Sequence, residues 1–425
     1  MHTTYSYQQS LEEPRKFLWL RGSVWLFALG VIAGYLWNAP VFTPPGSQPL
    51  IEQGFSFQRI LRVFSVMLIL PLVWNRLFRL LLLKQSHMMI LFVFVFAPLL
   101  SLLNYPDISF LIATIGPFVV GGVSLMCLCA LSDDEFKTWV TGVGFASLVF
   151  LLLGLKDNGI ETTTFYGSDR ASFGFIHPTQ SAAVVLMSGG VMFYFVSQRL
   201  QRHLTLRKLL LTGIVAFTAC MLLLAMSKNT MLIVILTIIC ASYATVFKSM
   251  FPRFLLSIVL ISSPILIFAY AIYGDKQDII WLTLNFLSSD RFEAYRTLLS
   301  NMNNETFFTI FLGPSAFSQS DISGNLRGFA SSESVYFSLY VNFGIVTLLS
   351  FFTFLLILAK RLSKIRSPLA FGGLCGITIF IAIDAQGVTP SNLAIFSLLA
   401  YCVRNTMQVS NERQLHRQTA TLKND

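Results

Sequence analysis

Six residues in three polar intervals carry the groups with which this chain could do chemistry. They are Arg170 and His177 in KDNGIETTTFYGSDRASFGFIHP (156–178), Lys228 in the short connection MSKNT, and Arg291, Arg296 and Glu333 in the interval 274–334. Four are cations, and cations converging from separate connections would make a cradle for an anion. The other two, His177 and Glu333, can take a proton from a hydroxyl as general base. Each also has a plainer role: His177 could hydrogen-bond the loop ahead of Pro178, Lys228 could snorkel to an interface, and Arg296 could pair with Glu293 at i,i+3 on a helix. The stretch SSDRFEAYRTLL predicts a helix capped by Ser288, Ser289 or Asp290. Arg291 would then stand in its first turn, where the helix dipole disfavours a cation unless an anion is close. A metal is not expected, because no exported loop offers a DxD or HExxH pattern and the stretch from Asn38 to Arg59 holds the single carboxylate Glu52. A divalent ion needs several hard oxygen ligands, so no metal and no cofactor is expected.

The elements that must position these groups are apolar. Of the chain's 425 residues 55% are hydrophobic, 14% aromatic and only 12% charged, and its mean hydropathy is +0.68. A soluble core cannot use that much hydrocarbon. Windows of about twenty residues, enough to cross roughly 30 Å of lipid, recur about twelve times. They run roughly over 17–36, 60–78, 88–104, 109–131, 137–155, 179–198, 209–226, 230–247, 254–273, 335–358, 368–384 and 391–403. The expected fold is therefore an all-α polytopic membrane protein with about twelve transmembrane helices. It divides into a tail at 1–16, helices 1–9 over 17–273, a large exported loop at 274–334, helices 10–12 over 335–403, and a second tail at 404–425.

Lysine and arginine set the orientation. The groups around Arg21, Arg76, Arg202, Arg253, Arg361 and Arg404 all fall on one side of a twelve-span chain, and short basic loops stay cytoplasmic. Both termini are then cytoplasmic, and 156–178 and 274–334 face outward. The cluster Asp133, Asp134, Glu135 and Lys137 is acidic on the predicted inner side and runs against the rule. The net charge of +10 is largely this topological signal, so nucleic acid is not an expected partner. Residues 1–14 are polar and the first apolar run shows no small-residue cleavage pattern, so that run is expected to be an anchor. The six cysteines all fall in or beside predicted spans, as buried small hydrophobes. At this depth the anion that Arg170, Lys228, Arg291 and Arg296 would meet is a lipid-linked phosphate or diphosphate.

The order of these features resembles a family. An exported R…FGF.HP segment leading into a span, the S-K-N-T connection, a large loop with DRFEAYR and LGPSAF, and SESVYFSLYVNFGIVTLL leading into the next span are similar to the O-antigen polymerase and O-antigen ligase superfamily over roughly residues 140–400. The resemblance implies a bacterial inner-membrane, metal-independent inverting glycosyltransferase acting on undecaprenyl-diphosphate-linked glycans. Its partners would be that lipid-linked glycan, membrane lipids and a chain-length regulator protein. It also implies that Arg170 and Arg291 hold the diphosphate; by their charge beside hydrocarbon Lys228 and Arg296 would be weaker members, and by its chemistry Glu333 or His177 would be the general base. Two departures separate the branches. Lys228 stands where the ligases usually carry arginine, keeping the charge without the bidentate fork. Glu333 in ASSESVYF stands where they tend to carry histidine, which favours the polymerases. The alternatives are an O-antigen ligase and, further off, a flippase or transporter, which would place charged or helix-breaking residues inside its spans in two related halves. Apart from Asp384 the sequence shows little of this.

Overall fold

The computed structural model describes residues 18–26, 57–83, 85–106, 108–111, 115–158, 162–165, 168–171, 178–200, 203–225, 228–282, 306–313, 334–365, 367–383 and 396–406. Among these the protein is helical apart from one small hairpin, and it is a membrane protein by its apolar helices. Among the described residues four helices are long and apolar enough to cross a membrane, Asp133–Lys156, Ser181–Arg199, Leu204–Leu224 and Ser338–Lys364. Six shorter apolar helices accompany them, including Met250–Leu266 and Pro368–Ile381. The predicted edges at 254–273, 335–358 and 368–384 correspond to helices at Met250–Tyr273, Val335–Lys364 and Pro368–Ile383. The chain forms two compact units, one of Met1–Leu82, Ala130–Met231 and Pro390–Ala394, the other of Leu83–Cys129, Leu232–Thr389 and Ile395–Asp425.

In the first unit the helices Asp133–Asn158, Pro178–Arg199 and Leu204–Leu224 run back and forth side by side. Small residues let them approach. A Cβ on Gly144 would fall 2.9 Å from Val191 Cβ, and one on Gly189 would meet the Thr218 side chain. The short helix 18–26 joins them where Val24 abuts Gly142, and Ser23 Oγ donates to the Ser65 carbonyl at 2.9 Å. The Leu204 helix leaves Leu209 at 69%, Val215 at 56% and Leu223 at 60% exposed, a face that only hydrocarbon solvates without penalty. Cys220 on this helix is exposed too, while the other five cysteines are buried and all six are free. The expectation of burial therefore fails at Cys220, because its helix turns most of its surface outward.

The acidic run at 132–135 is a helix cap. Glu135 Oε2 accepts from the Ser132 backbone N–H at 2.7 Å, and the Glu135 N–H donates to Ser132 Oγ at 3.3 Å. This is the reciprocal S-x-x-E box, which satisfies donors that a helix start leaves unpaired. Asp133 and Asp134 occupy the same first turn, where the dipole favours negative charge. Arg76 Nη1 then reaches Glu135 Oε2 at 2.6 Å. The carboxylates that oppose the basic-side pattern are thus explained by helix geometry.

The second unit is built on aromatics. Phe94 touches Phe118, Phe351 and Phe354, each at 6.2 Å between ring centres. Phe118 meets Phe343 edge-on at 5.1 Å, and Tyr336 stacks on Phe352 at 4.8 Å. Phe94 lies in a single π turn, Phe92–Phe96, between helical Gln85–Leu91 and Ala97–Leu100. In the Pro368 helix, Gly372 and Gly376 press against the helix Lys228–Val246, where a Cβ on Gly376 would sit 2.5 Å from Thr237 Oγ1. Such small-residue seams replace the hydrophobic driving force that helices lack in lipid.

At one end of this unit Arg253, only 4% exposed, holds three helix ends together. Its Nε donates to the Phe247 carbonyl at 2.7 Å, Nη1 to Ile365 at 3.0 Å, and Nη2 to Ala244. These carbonyls terminate the Lys228 and Val335 helices, where acceptors are left over and the dipole favours a cation. Arg404 does the same for the helix Gly116–Ala130, donating to the Leu128 carbonyl at 3.0 Å.

Candidate functional site

The opposite end of the second unit is where the large loop enters and leaves. The Met250 helix closes at Tyr273, and Tyr270 folds back on the loop's first residues, its hydroxyl donating to Asp278 Oδ2 at 2.5 Å. Asp278 Oδ1 also accepts from the Ile280 N–H at 3.0 Å. The phenol and then that backbone N–H hold the Asp278 carboxyl below its ordinary value, since both bonds favour the ionised form.

Within the loop a short helix, Phe307–Leu312, is capped by Thr306, which accepts from the Thr309 N–H. It ends at Gly313 and lies against the Val335 helix. That helix is broken at Gly344, with φ 72 and ψ −179. Gly313 has φ 62 and ψ −173. Both conformations belong essentially to glycine. The two residues meet: a Cβ on Gly313 would lie 2.7 Å from the Asn342 carbonyl oxygen, and one on Gly344 would strike the Phe311 carbonyl. Asn104 Nδ2 donates to the Gly313 carbonyl at 3.1 Å, which secures the crossing from a third segment. Glycine pairing thus pins the loop to the span that follows it.

The N-terminal turn of the Val335 helix is deeply buried. Ser334, Val335 and Tyr336 are 1%, 0% and 2% exposed, and the Tyr336 hydroxyl has no hydrogen-bond partner among the described residues. One turn on, Asn342 Nδ2 donates to Ser338 Oγ at 3.1 Å. Tyr336, Ser338 and Asn342 are polar groups that sequence reasoning did not single out. Their signal was the spacing of Tyr, Ser and Asn through SVYFSLYVNFG, an otherwise apolar run.

Of the six expected site residues the structure describes the backbone of two. Arg170 stands in β2 (Ser168–Ala171), opposite Thr163 of β1 (Thr162–Phe165) in an antiparallel hairpin. The all-α expectation held no strand, so this small hairpin departs from it. Lys228 is the first residue of the helix Lys228–Val246. Because the Asp133, Pro178 and Leu204 helices alternate in direction, the hairpin and the start of the Lys228 helix lie at the same end of the first unit. His177, Arg291, Arg296 and Glu333 lie outside the described residues, as does the predicted helix in SSDRFEAYRTLL. Glu333 directly precedes the buried Ser334 in sequence. Compared with known proteins, the chain matches no family model, no curated protein and no solved structure.

Proposed function

We propose that this protein is a glycosyltransferase of the bacterial inner membrane that joins undecaprenyl-diphosphate-linked oligosaccharide repeat units into O-antigen or a similar surface polysaccharide. Twelve spans with both termini cytoplasmic put 156–178 and 274–334 on the outer face. Arg170 and Arg291, helped by Lys228 and Arg296, hold the donor diphosphate and neutralise it as it leaves, so that no metal or cofactor takes part. Glu333 or His177 removes the proton from the acceptor hydroxyl while the sugar is transferred with inversion. A chain-length regulator is the natural protein partner of such an activity.

The observation that carries this reading is the ordered set of sequence features from the 156–178 segment through SKNT and DRFEAYR to SESVYF. The backbone arrangement agrees with it in two respects. Arg170 and Lys228, 58 positions apart in sequence, start from one end of the first unit. A lysine at a helix N-terminus is unfavourable unless an anion compensates it.

Loss of the protein tests the assignment and separates it from ligation. Without a polymerase, cells still export single units, and their surface glycan carries at most one repeat. Without a ligase, long chains accumulate on undecaprenyl diphosphate and none reaches the lipid A core. Gel analysis of surface glycan beside extracted lipid-linked material from a deletion strain distinguishes the two. Long polymer on the carrier would replace polymerase by ligase, and unchanged glycan would discard both.

A further inference from the structure

The first unit holds a groove of about 640 Å³ that no part of the glycosyl-transfer scheme uses. One wall is a single face of the Asp133 helix, with lining positions at Asp134, Lys137, Thr138, Thr141, Gly142 and Phe145. Their spacing of three and four residues is one helical stripe, roughly 16 Å long at 1.5 Å per residue. Polarity falls along it. A carboxylate and an ammonium stand at the capped end, two threonines follow, and the stripe finishes on Phe145, which is 46% exposed. The other wall repeats the pattern on helix 18–26, where Arg21 stands one turn ahead of Val24 and Trp25. Val24 against Gly142 closes the floor, since a Cβ there would lie 2.5 Å from Val24 Cγ1. Tyr194 comes in from the Pro178 helix, and Lys137 Nζ stands 5.3 Å from the centre of its ring.

We infer that this groove binds a zwitterionic phospholipid of the ethanolamine type, its phosphodiester on Arg21 and Lys137, its ammonium on Asp134, and an acyl chain laid along Val24, Trp25 and Phe145. Two cations with donor groups suit a phosphodiester. The carboxylate beside them repels a purely anionic headgroup and attracts one that carries its own cation. The apolar half of the groove has no use for a soluble phosphate, whereas hydrocarbon fills it at no cost in water contact. Tyr194 and Trp25 are the side chains that settle at the boundary between headgroups and hydrocarbon.

The full-length protein, purified in detergent and stripped of lipid, can be probed by native mass spectrometry with dioleoyl-phosphatidylethanolamine, dioleoyl-phosphatidylglycerol and glycerophosphoethanolamine. One phosphatidylethanolamine should be retained in preference to phosphatidylglycerol. The double variant Arg21→Gln, Lys137→Gln should weaken its binding about tenfold or more, and Thr141→Trp, which fills the groove without touching a charge, should do the same. Asp134→Asn should abolish the preference between the two lipids. Arg21 and Lys137 are exposed, so their variants should melt as the parent does. Undiminished phosphatidylethanolamine retention in both the double variant and Thr141→Trp would overturn the site, as would a preference for phosphatidylglycerol in the parent. Displacement by equimolar glycerophosphoethanolamine would show a soluble phosphodiester to be the ligand and overturn the lipid assignment.

Discussion

At the scale of single residues, the arginines of this chain are put to different uses. Arg253 and Arg404 spend their guanidinium on helix-end carbonyls, whereas Arg170 and Arg291 are the cations proposed to meet the diphosphate. Arg170→Ala and Arg291→Ala should therefore abolish glycan elongation at normal protein levels. Lysine should rescue either poorly, since it offers a point charge without the bidentate fork. Normal polymer length in both alanine variants, read on a silver-stained gel, would remove the diphosphate site. Asp278 gives a prediction about pH. Its folded carboxyl is depressed by the Tyr270 phenol, so the contact helps hold the loop's first turn wherever the unfolded side chain is also ionised. That help is complete above the ordinary aspartate value of 3.8 and disappears as pH falls through the lower folded value. Amide protection at residues 274–282, taken relative to the intrinsic exchange rate at each pH, should fall on acidification through that range, and Asp278→Asn should lower it at neutral pH and flatten the dependence. A profile unchanged by the substitution would deny Asp278 this role. None of these partners was legible in the sequence. Arg253 reads there as one more cation beside a span, because its Ile365 acceptor is 112 positions away.

At the scale of elements, the apolar runs at 179–198, 230–247 and 254–273 lie within a few residues of the edges of the helices Pro178–Arg199, Lys228–Val246 and Met250–Tyr273, because a span must be long and apolar wherever it packs. The breaks inside spans were harder to see. Gly344 reads as an ordinary small residue in VNFGIV, yet it interrupts the helix where the Gly313 backbone crosses it. Its positive φ comes from a tertiary contact, which no local pattern encodes. Gly344→Ala and Gly313→Ala should each destabilise the loop end by about 2 kcal/mol or more, from backbone strain plus the clash. Limited proteolysis within 283–305 should accelerate in both, while cleavage at the tails stays constant. A cutting rate equal to the parent's would mean that the crossing does not hold the loop. The box at Ser132 and Glu135 is the opposite case: S-x-x-E stands in the sequence as a helix-start signal, but the acidic run drew attention to its charge and away from its hydrogen bonds.

For the whole molecule, the proposed twelve-span arrangement would put 274–334 and the C-terminus on opposite sides of the membrane. Reporter fusions at Ser318 and after Asp425 should accordingly report opposite compartments, and the same compartment for both would end the scheme. Of the cations counted for orientation, Arg76, Arg253 and Arg404 also serve packing. In the second unit the bonds of Arg253 and Arg404 gather at the end away from the Gly313 crossing. The Arg253 clasp has a further meaning for biogenesis. When the Met250 helix leaves the ribosome, Ala244 and Phe247 have been made but Ile365 has not, so the guanidinium is short of one acceptor and water must supply it. The expected consequence is that the helix rests only provisionally, with water reaching Ser257, until the Val335 helix is delivered. A cysteine placed at the buried Ser257 in a background without the native cysteines should react with a membrane-impermeant thiol reagent in chains stalled at residue 340. In the finished chain it should be closed to the reagent, whereas equal labelling of the two would show that the helix seats itself without waiting.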